Sequence, residues 1–322
     1  MIFSQYFDAW ASKYYANVAI GADFYTAINA SKFFGGAIAK YILYLLESAS
    51  LSLPLNIIDF GGNNANLLND IHSFLESLGL NVAKECNFIL IDKNTRFIKS
   101  NKHLDSIKFY KNLASLKEAK ILKNHNCIFV ANELFDALPC EIIDDDKMAF
   151  VENHSIIFKP HNNQKIQEIC TRFNMQRGEI PLCYEDICKE VASLGVKFIF
   201  MAFDYGDNIV RNDFTMRIFH RHSVKNLMEI PLKEHFGVSD ITYNVPFFLL
   251  DRAFEMITAE RILSKRLDLA LVEDFGILEL LQDFYAFAKD RDEVLYLRES
   301  NKIKSLLHIL APKFSVKIYR GN

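Results

Sequence analysis

The chain has 322 residues, of which 50% are hydrophobic and 24% charged, and its formal net charge is -3. This length and apolar content predict a folded chain with a substantial core, not a disordered one. A slightly acidic chain has no basic field to attract nucleic acid or anionic membrane, so neither is expected as a partner. The first residues show no basic region before an apolar one, and no run reaches the roughly 18 apolar residues of a membrane span. We therefore expect an unprocessed cytoplasmic protein without membrane insertion.

The six cysteines lie mostly in apolar segments and form no Cys-x-x-Cys pair. This pattern disfavours both a disulfide framework and a structural zinc site. We expect reduced core thiols and no bound metal.

In chain order, the first 50 residues are rich in aromatic residues at helical spacing. Leu55 to Phe60 predicts a buried strand, followed by a turn of small residues and an amphipathic helix from about 67 to 78. Further strands are predicted at 88–91, 107–110 and 127–130. Strands that alternate with helices predict an α/β fold with a mostly parallel sheet.

The rhythm then changes. Short strands at 141–143, 148–152 and 156–159 suggest a β-hairpin insertion, and the sheet resumes at 197–203. A helical region is predicted from about 246 to 307. Because no repeat or linker is evident, we expect a single domain over 1–322, with a core at about 50–206, an insertion at about 140–190, a helical extension at about 207–310 and a final strand at about 314–319.

The most informative stretch is Ala-Asn-Glu-Leu-Phe-Asp-Ala-Leu-Pro at 131–139, directly after an apolar strand. Its amide and carboxylates are predicted at the sheet edge where α/β enzymes bind ligands. The alternative is that Asn132 or Asp136 caps the turn that follows.

A second polar strand end lies at Asp59, where Gly61 and Gly62 follow and let the backbone approach a ligand. An acidic residue followed by glycines suits a nucleoside-bearing cofactor. The loop lacks Gly-x-Gly-x-x-Gly and a Lys with Ser or Thr, which disfavours dinucleotides and P-loop ligands. Asp92 ends the second strand and is predicted to accept hydrogen bonds from two ribose hydroxyls. The alternative is that it caps the next helix.

These motifs resemble the MidA family of S-adenosylmethionine-dependent methyltransferases, whose mitochondrial members serve in respiratory complex I assembly by methylating arginine on a complex I subunit. The resemblance runs nearly end to end. Its stretches are Gly21 to Thr26, Phe34-Gly35, the Asp59 turn, 131–139, Glu179 to Pro181, Asp204 to Gly206, Arg221-His222, Gly237 to Thr242 and Phe314 to Val316. It implies a class I methyltransferase Rossmann-like sheet with a β-hairpin insertion and helical N- and C-terminal extensions.

The resemblance implies S-adenosyl-L-methionine as cofactor and a protein substrate, with a complex I subunit as one candidate; it does not assign an oligomeric state. As a hypothesis, we assign to the cofactor Asp59, Gly61, Gly62, Asn63, Asp92 and Tyr25. We assign to catalysis Asn132, Glu133 and Asp136. Paired carboxylates three residues apart are able to hold a guanidinium by bidentate hydrogen bonds. Second candidates for the substrate side, each equally compatible with a structural role, are Asp204, Tyr205 and Asp240. His222 beside Arg221 is interpreted as packed or ion-paired.

The glycine turn departs from the family pattern of Glu-x-Gly-Pro-Gly-x-Gly-Thr, because Asn63 and Ala65 stand in place of two glycines. Asn tolerates left-handed backbone well, so Asn63 is expected to preserve the turn, and Ala65 adds one methyl. We expect cofactor binding to be kept but weakened. A non-catalytic scaffold with this fold stays open as an alternative, and a nucleotide-dependent oxidoreductase is disfavoured.

Overall fold

The computed structural model describes residues 1–18, 31–78, 81–94, 104–123, 125–220, 223–288 and 292–322. The chain divides into two compact units. We call Tyr25–Asn132, Ala192–Phe203 and Ala259–Asn322 the sheet unit. We call Met1–Phe24, Glu133–Val191 and Asp204–Thr258 the aromatic unit.

The strands of the described residues are β1 (Leu55–Phe60), β2 (Cys86–Ile91), β3 (Ile107–Tyr110), β4 (Asn126–Asn132), β5 (Glu141–Asp144), β6 (Lys147–Glu152), β7 (Ser155–Pro160), β8 (Arg177–Ile180), β9 (Phe198–Asp204), β10 (Gly206–Asp207), β11 (Arg217–His220), β12 (Ser223–Asn226), β13 (Asp240–Thr242), β14 (Val245–Pro246), β15 (Glu260–Arg266) and β16 (Ser315–Gly321). The α-helices of the same residues are α1 (Phe3–Tyr15), α2 (Phe33–Glu47), α3 (Asn66–Ser77), α4 (Leu113–Glu118), α5 (Gln164–Phe173), α6 (Cys183–Ala192), α7 (Leu232–His235), α8 (Phe247–Glu255), α9 (Leu267–Glu273), α10 (Ile277–Ala288) and α11 (Glu293–Ser305).

The sheet unit is built on a seven-stranded sheet in the order β15-β16-β9-β4-β1-β2-β3. β1 pairs in parallel with β2 and β4, and parallel pairing continues from β2 to β3 and from β4 to β9. The inner strands are almost wholly buried because a parallel sheet is covered on both faces. The predicted parallel α/β sheet is confirmed, and it brings the carboxyl ends of β1, β2 and β4 to one edge.

Helices of the sheet unit bury one face each. α3 places Leu67, Leu68, Ile71 and Leu75 in the core at helical spacing. Phe33 on α2 packs with Leu280 and Ile303, which lie on α10 and α11. These helices follow from apolar periodicity that the sequence shows.

The aromatic unit has a core around α1, which buries aromatic side chains along one face; these are Phe3, Tyr6, Phe7, Trp10 and Tyr14. Its strands form a four-stranded sheet in the order β7-β6-β5-β8, a three-stranded sheet in the order β12-β11-β13, and the pair β10-β14. The two larger sheets are antiparallel. The predicted antiparallel insertion is confirmed, but it is larger than a hairpin because β8, α5 and α6 belong to the same stretch.

The predicted helical extension over 207–310 contains α7 to α11, as expected, but strands interrupt it. Short strands, not helices, occupy 206–207, 217–220, 223–226, 240–242 and 245–246. β15 lies inside the region predicted as helical from about 246 to 307, and it pairs antiparallel with β16. Its sequence Glu-Arg-Ile-Leu-Ser-Lys-Arg is rich in good helix formers, and pairing with a distant strand overrides that preference.

Within the residues that the structure describes, no helix is both long and apolar enough to cross a membrane.

Candidate functional site

The turn after β1 follows the sheet register. Phe60 lies opposite Ile91, and the Gly61 N–H donates to the Ile91 carbonyl at 2.8 Å. The backbone is left-handed at Gly61 (φ 85°), Asn63 (φ 46°) and Ala65 (φ 62°). Asn63 thus adopts the left-handed backbone that the prediction requires of it.

Gly62 packs its backbone directly on the Asp59 carboxyl group. A Cβ placed on Gly62 would lie 2.7 Å from Asp59 Oδ1 and closer still to the other carboxyl atoms. Real Cβ atoms essentially never come this close to another heavy atom. The turn therefore requires glycine at 62 for as long as Asp59 keeps this position.

Asp59 and Asp92 are two carboxylates at the ends of neighbouring strands. Asp59 is 1% exposed, and its Oδ2 has no hydrogen-bond partner among the described residues. Burial, reinforced by the charge of Asp92, raises the pKa of Asp59 to about 8. Asp92 Oδ2 accepts from the Asn63 N–H at 2.9 Å and Oδ1 accepts from the Asn94 N–H at 2.7 Å. Burial raises the pKa of Asp92, and these two N–H groups oppose the shift.

Asn63 adds a third oxygen to the turn. The residue is 8% exposed, and its side-chain Oδ1 is buried without a partner in the described part of the chain. The turn thus offers hydrogen-bond acceptors from Asp59, Asn63 and Asp92. Such a lining fits a ligand rich in hydroxyl or ammonium donors and disfavours a phosphate, which only accepts.

Of the predicted cofactor residues, the structure brings Asp59, Gly61, Gly62, Asn63 and Asp92 together. Tyr25 lies outside the described residues. That any of these residues contacts a cofactor stays a prediction.

Asn132 is the last residue of β4 and is 8% exposed. Because β4 pairs in parallel with β1, Asn132 lies at the same edge of the sheet as Asp59. The next residue, Glu133, belongs to the aromatic unit and has a left-handed backbone with φ 51°. Non-glycine residues in this conformation are strained and are enriched at functional positions.

The short 3-10 turn Phe135–Ala137 has Leu134 before it and no side-chain cap. Neither Asn132 nor Asp136 occupies the N-cap position of this turn. Asp204 holds this turn instead, since its Oδ2 accepts from the backbone N–H of Phe135 at 2.9 Å and of Asp136 at 3.3 Å.

Asp136 lies inside the aromatic unit, with 3% of its surface exposed. The Tyr205 hydroxyl donates to Asp136 Oδ2 and lies 3.1 Å from Thr242 Oγ1. The Arg217 guanidinium carbon lies 4.7 Å from the centre of the Tyr205 ring. Asp136 thus accepts a hydrogen bond from a phenol within a polar cluster. That Asp136 and Glu133 together hold a guanidinium, as a carboxylate clamp, stays a prediction.

Burial raises the pKa of two carboxylates in this cluster. Burial raises the pKa of Asp136 to about 6, against the hydrogen bond from Tyr205 and the charge of Arg217. Burial raises the pKa of Asp204 well above its ordinary value, and the charges of Asp136 and Glu133 add to the shift. A cation that approached these carboxylates would relieve their repulsion.

Of the remaining candidates, the structure describes Asp240 but not Arg221 and His222. Asp240 Oδ1 accepts from the Tyr15 hydroxyl at 2.7 Å and from the Ile241 N–H at 3.0 Å, which supports a structural role. Arg221 and His222 lie outside the described residues. Sequence reasoning missed Arg217 and the hydroxyl of Thr242. The Asp-Ile-Thr signature contained a signal for Thr242, and no local pattern marked Arg217.

Solved structures identify the class of fold. One is a crystal structure described as a "likely methyl transferase from Burkholderia thailandensis bound to S-adenosyl-homocysteine"; its TM-score is 0.78 at 16% identity, covering 100% of this chain and 88% of that chain. A native crystal structure of an uncharacterized protein of the same superfamily and organism gives a TM-score of 0.74 at 16% identity, covering 100% of this chain and 87% of that chain. The predicted class of fold, an α/β methyltransferase, is confirmed.

A family model described as "Putative S-adenosyl-L-methionine-dependent methyltransferase" matches residues 37–263. The match spans more than half of the chain, and the chain belongs to this family. No curated protein matches the sequence. Family membership agrees with the predicted resemblance and with S-adenosylmethionine as the predicted cofactor.

Proposed function

We propose that this chain is a cytoplasmic methyltransferase that binds S-adenosylmethionine at the turn after β1 and methylates an arginine of a protein. The observation that carries the proposal is the acceptor-lined turn, in which Asp59 Oδ2 and Asn63 Oδ1 are buried without partners among the described residues. Buried polar atoms are rarely left unsatisfied unless a ligand or water completes them. A nucleoside that also carries an ammonium group fits these oxygens.

Each acceptor has a part in this proposal. Asp92 has about four lone-pair positions, of which two serve the Asn63 and Asn94 N–H groups, so it retains capacity for ribose hydroxyls. Asp59 would take an ammonium donor, whose charge favours the ionised carboxylate. When bound, the cofactor supplies a methyl group on a sulfonium for in-line displacement. The chain's own task is to align donor and acceptor and to exclude water.

The acidic cluster supports a cationic acceptor. Within the aromatic unit, the charges of Glu133 and Asp136 destabilise the ionised form of Asp204. A guanidinium is the side chain best suited to carboxylates, because its planar fork donates two parallel hydrogen bonds. We assign Asn132, Glu133 and Asp136 to the acceptor. The resemblance of the motifs supports a complex I subunit as a candidate substrate.

One observation favours a second candidate, a non-catalytic scaffold. Asn63 and Ala65 hold left-handed backbone at positions where glycine would be free of strain. A turn that had lost its ligand would be free to accept such residues. Calorimetry decides between the candidates, because a scaffold does not bind S-adenosylmethionine at millimolar concentration.

Replacing Asp92 tests the cofactor site. We expect Asp92→Ala to weaken S-adenosylhomocysteine binding at least tenfold, because the loss of a charge-assisted acceptor costs about 1.5–3 kcal/mol. Isothermal titration calorimetry measures the effect. Asp105→Ala, an exposed aspartate of the same unit, serves as the control and should bind like the wild type. Equal affinity in the Asp92 variant would contradict the assignment, and NAD or NADP binding by the wild type would favour an oxidoreductase.

Replacing Glu133 tests the acceptor. We expect Glu133→Gln to lower kcat/KM for methylation of protein arginine at least tenfold, because one charge of the clamp is lost. Labelled methyl groups from S-adenosylmethionine are followed into cell-extract proteins, which are hydrolysed to identify the modified amino acid. The exposed Glu168→Gln is the control. Label in residues other than arginine would refute the arginine acceptor, and full activity of Glu133→Gln would refute the clamp.

A further inference from the structure

Asn63 combines two unfavourable features at one position. Its backbone is left-handed, with φ 46°, where glycine would carry no steric cost. Its side-chain Oδ1 is buried and lacks a donor within the described ranges, in a residue that is only 8% exposed. Asn is the best non-glycine residue for the turn, so the backbone alone explains part of the choice. It does not explain a buried carbonyl oxygen without a hydrogen bond.

The position of Asn63 connects it with the carboxylate at the end of β2. Its backbone N–H donates to Asp92 Oδ2 at 2.9 Å, which fixes the residue beside that carboxylate. Asn63 and the Asp92 carboxylate are therefore neighbours in the turn. A ligand that donates to Asp92 would bring a donor to the residue whose Oδ1 lacks one.

We infer that the Asn63 side chain is a specificity-determining contact, whose Oδ1 accepts a hydrogen bond from a hydroxyl on the nucleoside half of the cofactor. This inference rests on the proposed function. The inference reverses the expectation from the motif, which was that a side chain at this position weakens cofactor binding. The ligand satisfies the buried oxygen, so Asn63 destabilises the free protein and stabilises the complex.

A residue that only shapes the turn would behave differently. Glycine adopts left-handed backbone at least as readily as Asn, so Asn63→Gly would then leave ligand affinity unchanged or improve it. A residue that contacts the ligand loses affinity when it is shortened. The two roles thus predict different changes of affinity for the same substitution.

The test compares Asn63→Gly with Ala65→Gly. Ala65 is also left-handed, with φ 62°, and fully buried, but its side chain has no polar atom. We expect Asn63→Gly to raise the Tm of the ligand-free protein and to increase the Kd for S-adenosylhomocysteine about tenfold. Ala65→Gly should change that Kd less than twofold. 5'-Methylthioadenosine keeps the nucleoside and lacks the amino-acid part. Its Kd should increase by the same factor in Asn63→Gly.

The outcomes separate the inference from the proposed function. Unchanged or tighter binding of S-adenosylhomocysteine to Asn63→Gly overturns the contact. A loss confined to S-adenosylhomocysteine, with 5'-methylthioadenosine unaffected, overturns its assignment to the nucleoside half. No binding of S-adenosylhomocysteine by the wild type overturns the proposed function itself.

Discussion

Gly62→Ala is expected to abolish measurable binding of S-adenosylhomocysteine and to lower the free energy of unfolding by about 3 kcal/mol. The added methyl would overlap the Asp59 carboxyl group, with 2.7 Å left to Oδ1 and less to the other carboxyl atoms. Asp59 is 1% exposed, so its carboxyl group cannot turn away into bulk solvent. Either this carboxyl group or the turn backbone has to move, and each movement disrupts the acceptors proposed for the cofactor.

Gly195→Ala is the matched control. Gly195 belongs to the same unit, and a Cβ placed there meets no heavy atom within 4 Å, although its φ of 64° is left-handed. This variant should lose only about 1 kcal/mol and bind ligand normally. Urea denaturation measures stability, and calorimetry measures affinity. Normal affinity in Gly62→Ala would show that the turn and Asp59 are not part of the cofactor site.

The sequence predicts the parallel core well because its signals are local. Leu55–Phe60 and Ile107–Tyr110 are strands with the predicted bounds, since each apolar run is interrupted by polar or small residues. The grouping of Asp59 with Asp92 also follows from the sequence. Both residues follow the apolar part of adjacent parallel strands, and such ends meet at one edge of the sheet.

The aromatic unit is less predictable because its polar contacts join distant residues. Asp136 receives its hydrogen bond from Tyr205, 69 residues later in the chain. Arg217 lies beside Tyr205 because β11 pairs with β13, which aligns Arg217 with Thr242. No periodicity in either segment specifies that register. The same reason accounts for β15, whose partner strand follows about fifty residues later.

The sequence also does not predict how deeply Glu133 and Asp136 are buried. Spacing places Glu133 and Asp136 near each other along the chain but does not say which is exposed. The structure leaves Glu133 half-buried and encloses Asp136. The Tyr184 hydroxyl donates to the Phe135 carbonyl and the Tyr243 backbone N–H donates to the Asp136 carbonyl, so residues distant in the sequence hold this segment. A pair of carboxylates read from sequence therefore separates into one accessible and one enclosed group.

Asp59→Asn is expected to stabilise the ligand-free protein above neutral pH and to weaken cofactor binding at least tenfold. Burial, with the charge of Asp92, raises the pKa of Asp59 from 3.8 to about 8. Between these values the folded state keeps a proton that the unfolded state has lost, so the stability that this proton contributes declines as pH rises through the window. Above pH 8 the folded protein carries the full cost of a buried charge, on the order of 2 kcal/mol or more. The amide carries no such charge.

The wild type and Asp59→Asn should therefore be nearly equal in stability at pH 4 and diverge as pH rises to 8, as measured by urea denaturation across this range. Asp105→Asn, at the surface of the same unit, should show no comparable divergence.

Ligand binding supplies an independent measurement of the role of Asp59. If an ammonium group of the ligand pairs with Asp59, binding near pH 7 releases a proton from the wild type, which calorimetry detects in buffers of different ionisation enthalpy. Asp59→Asn should lose this release together with at least tenfold in affinity, because the charged partner of the ligand is gone. Parallel stability curves for the two proteins would show that folding does not raise the pKa of Asp59. Unchanged affinity would remove it from the cofactor site.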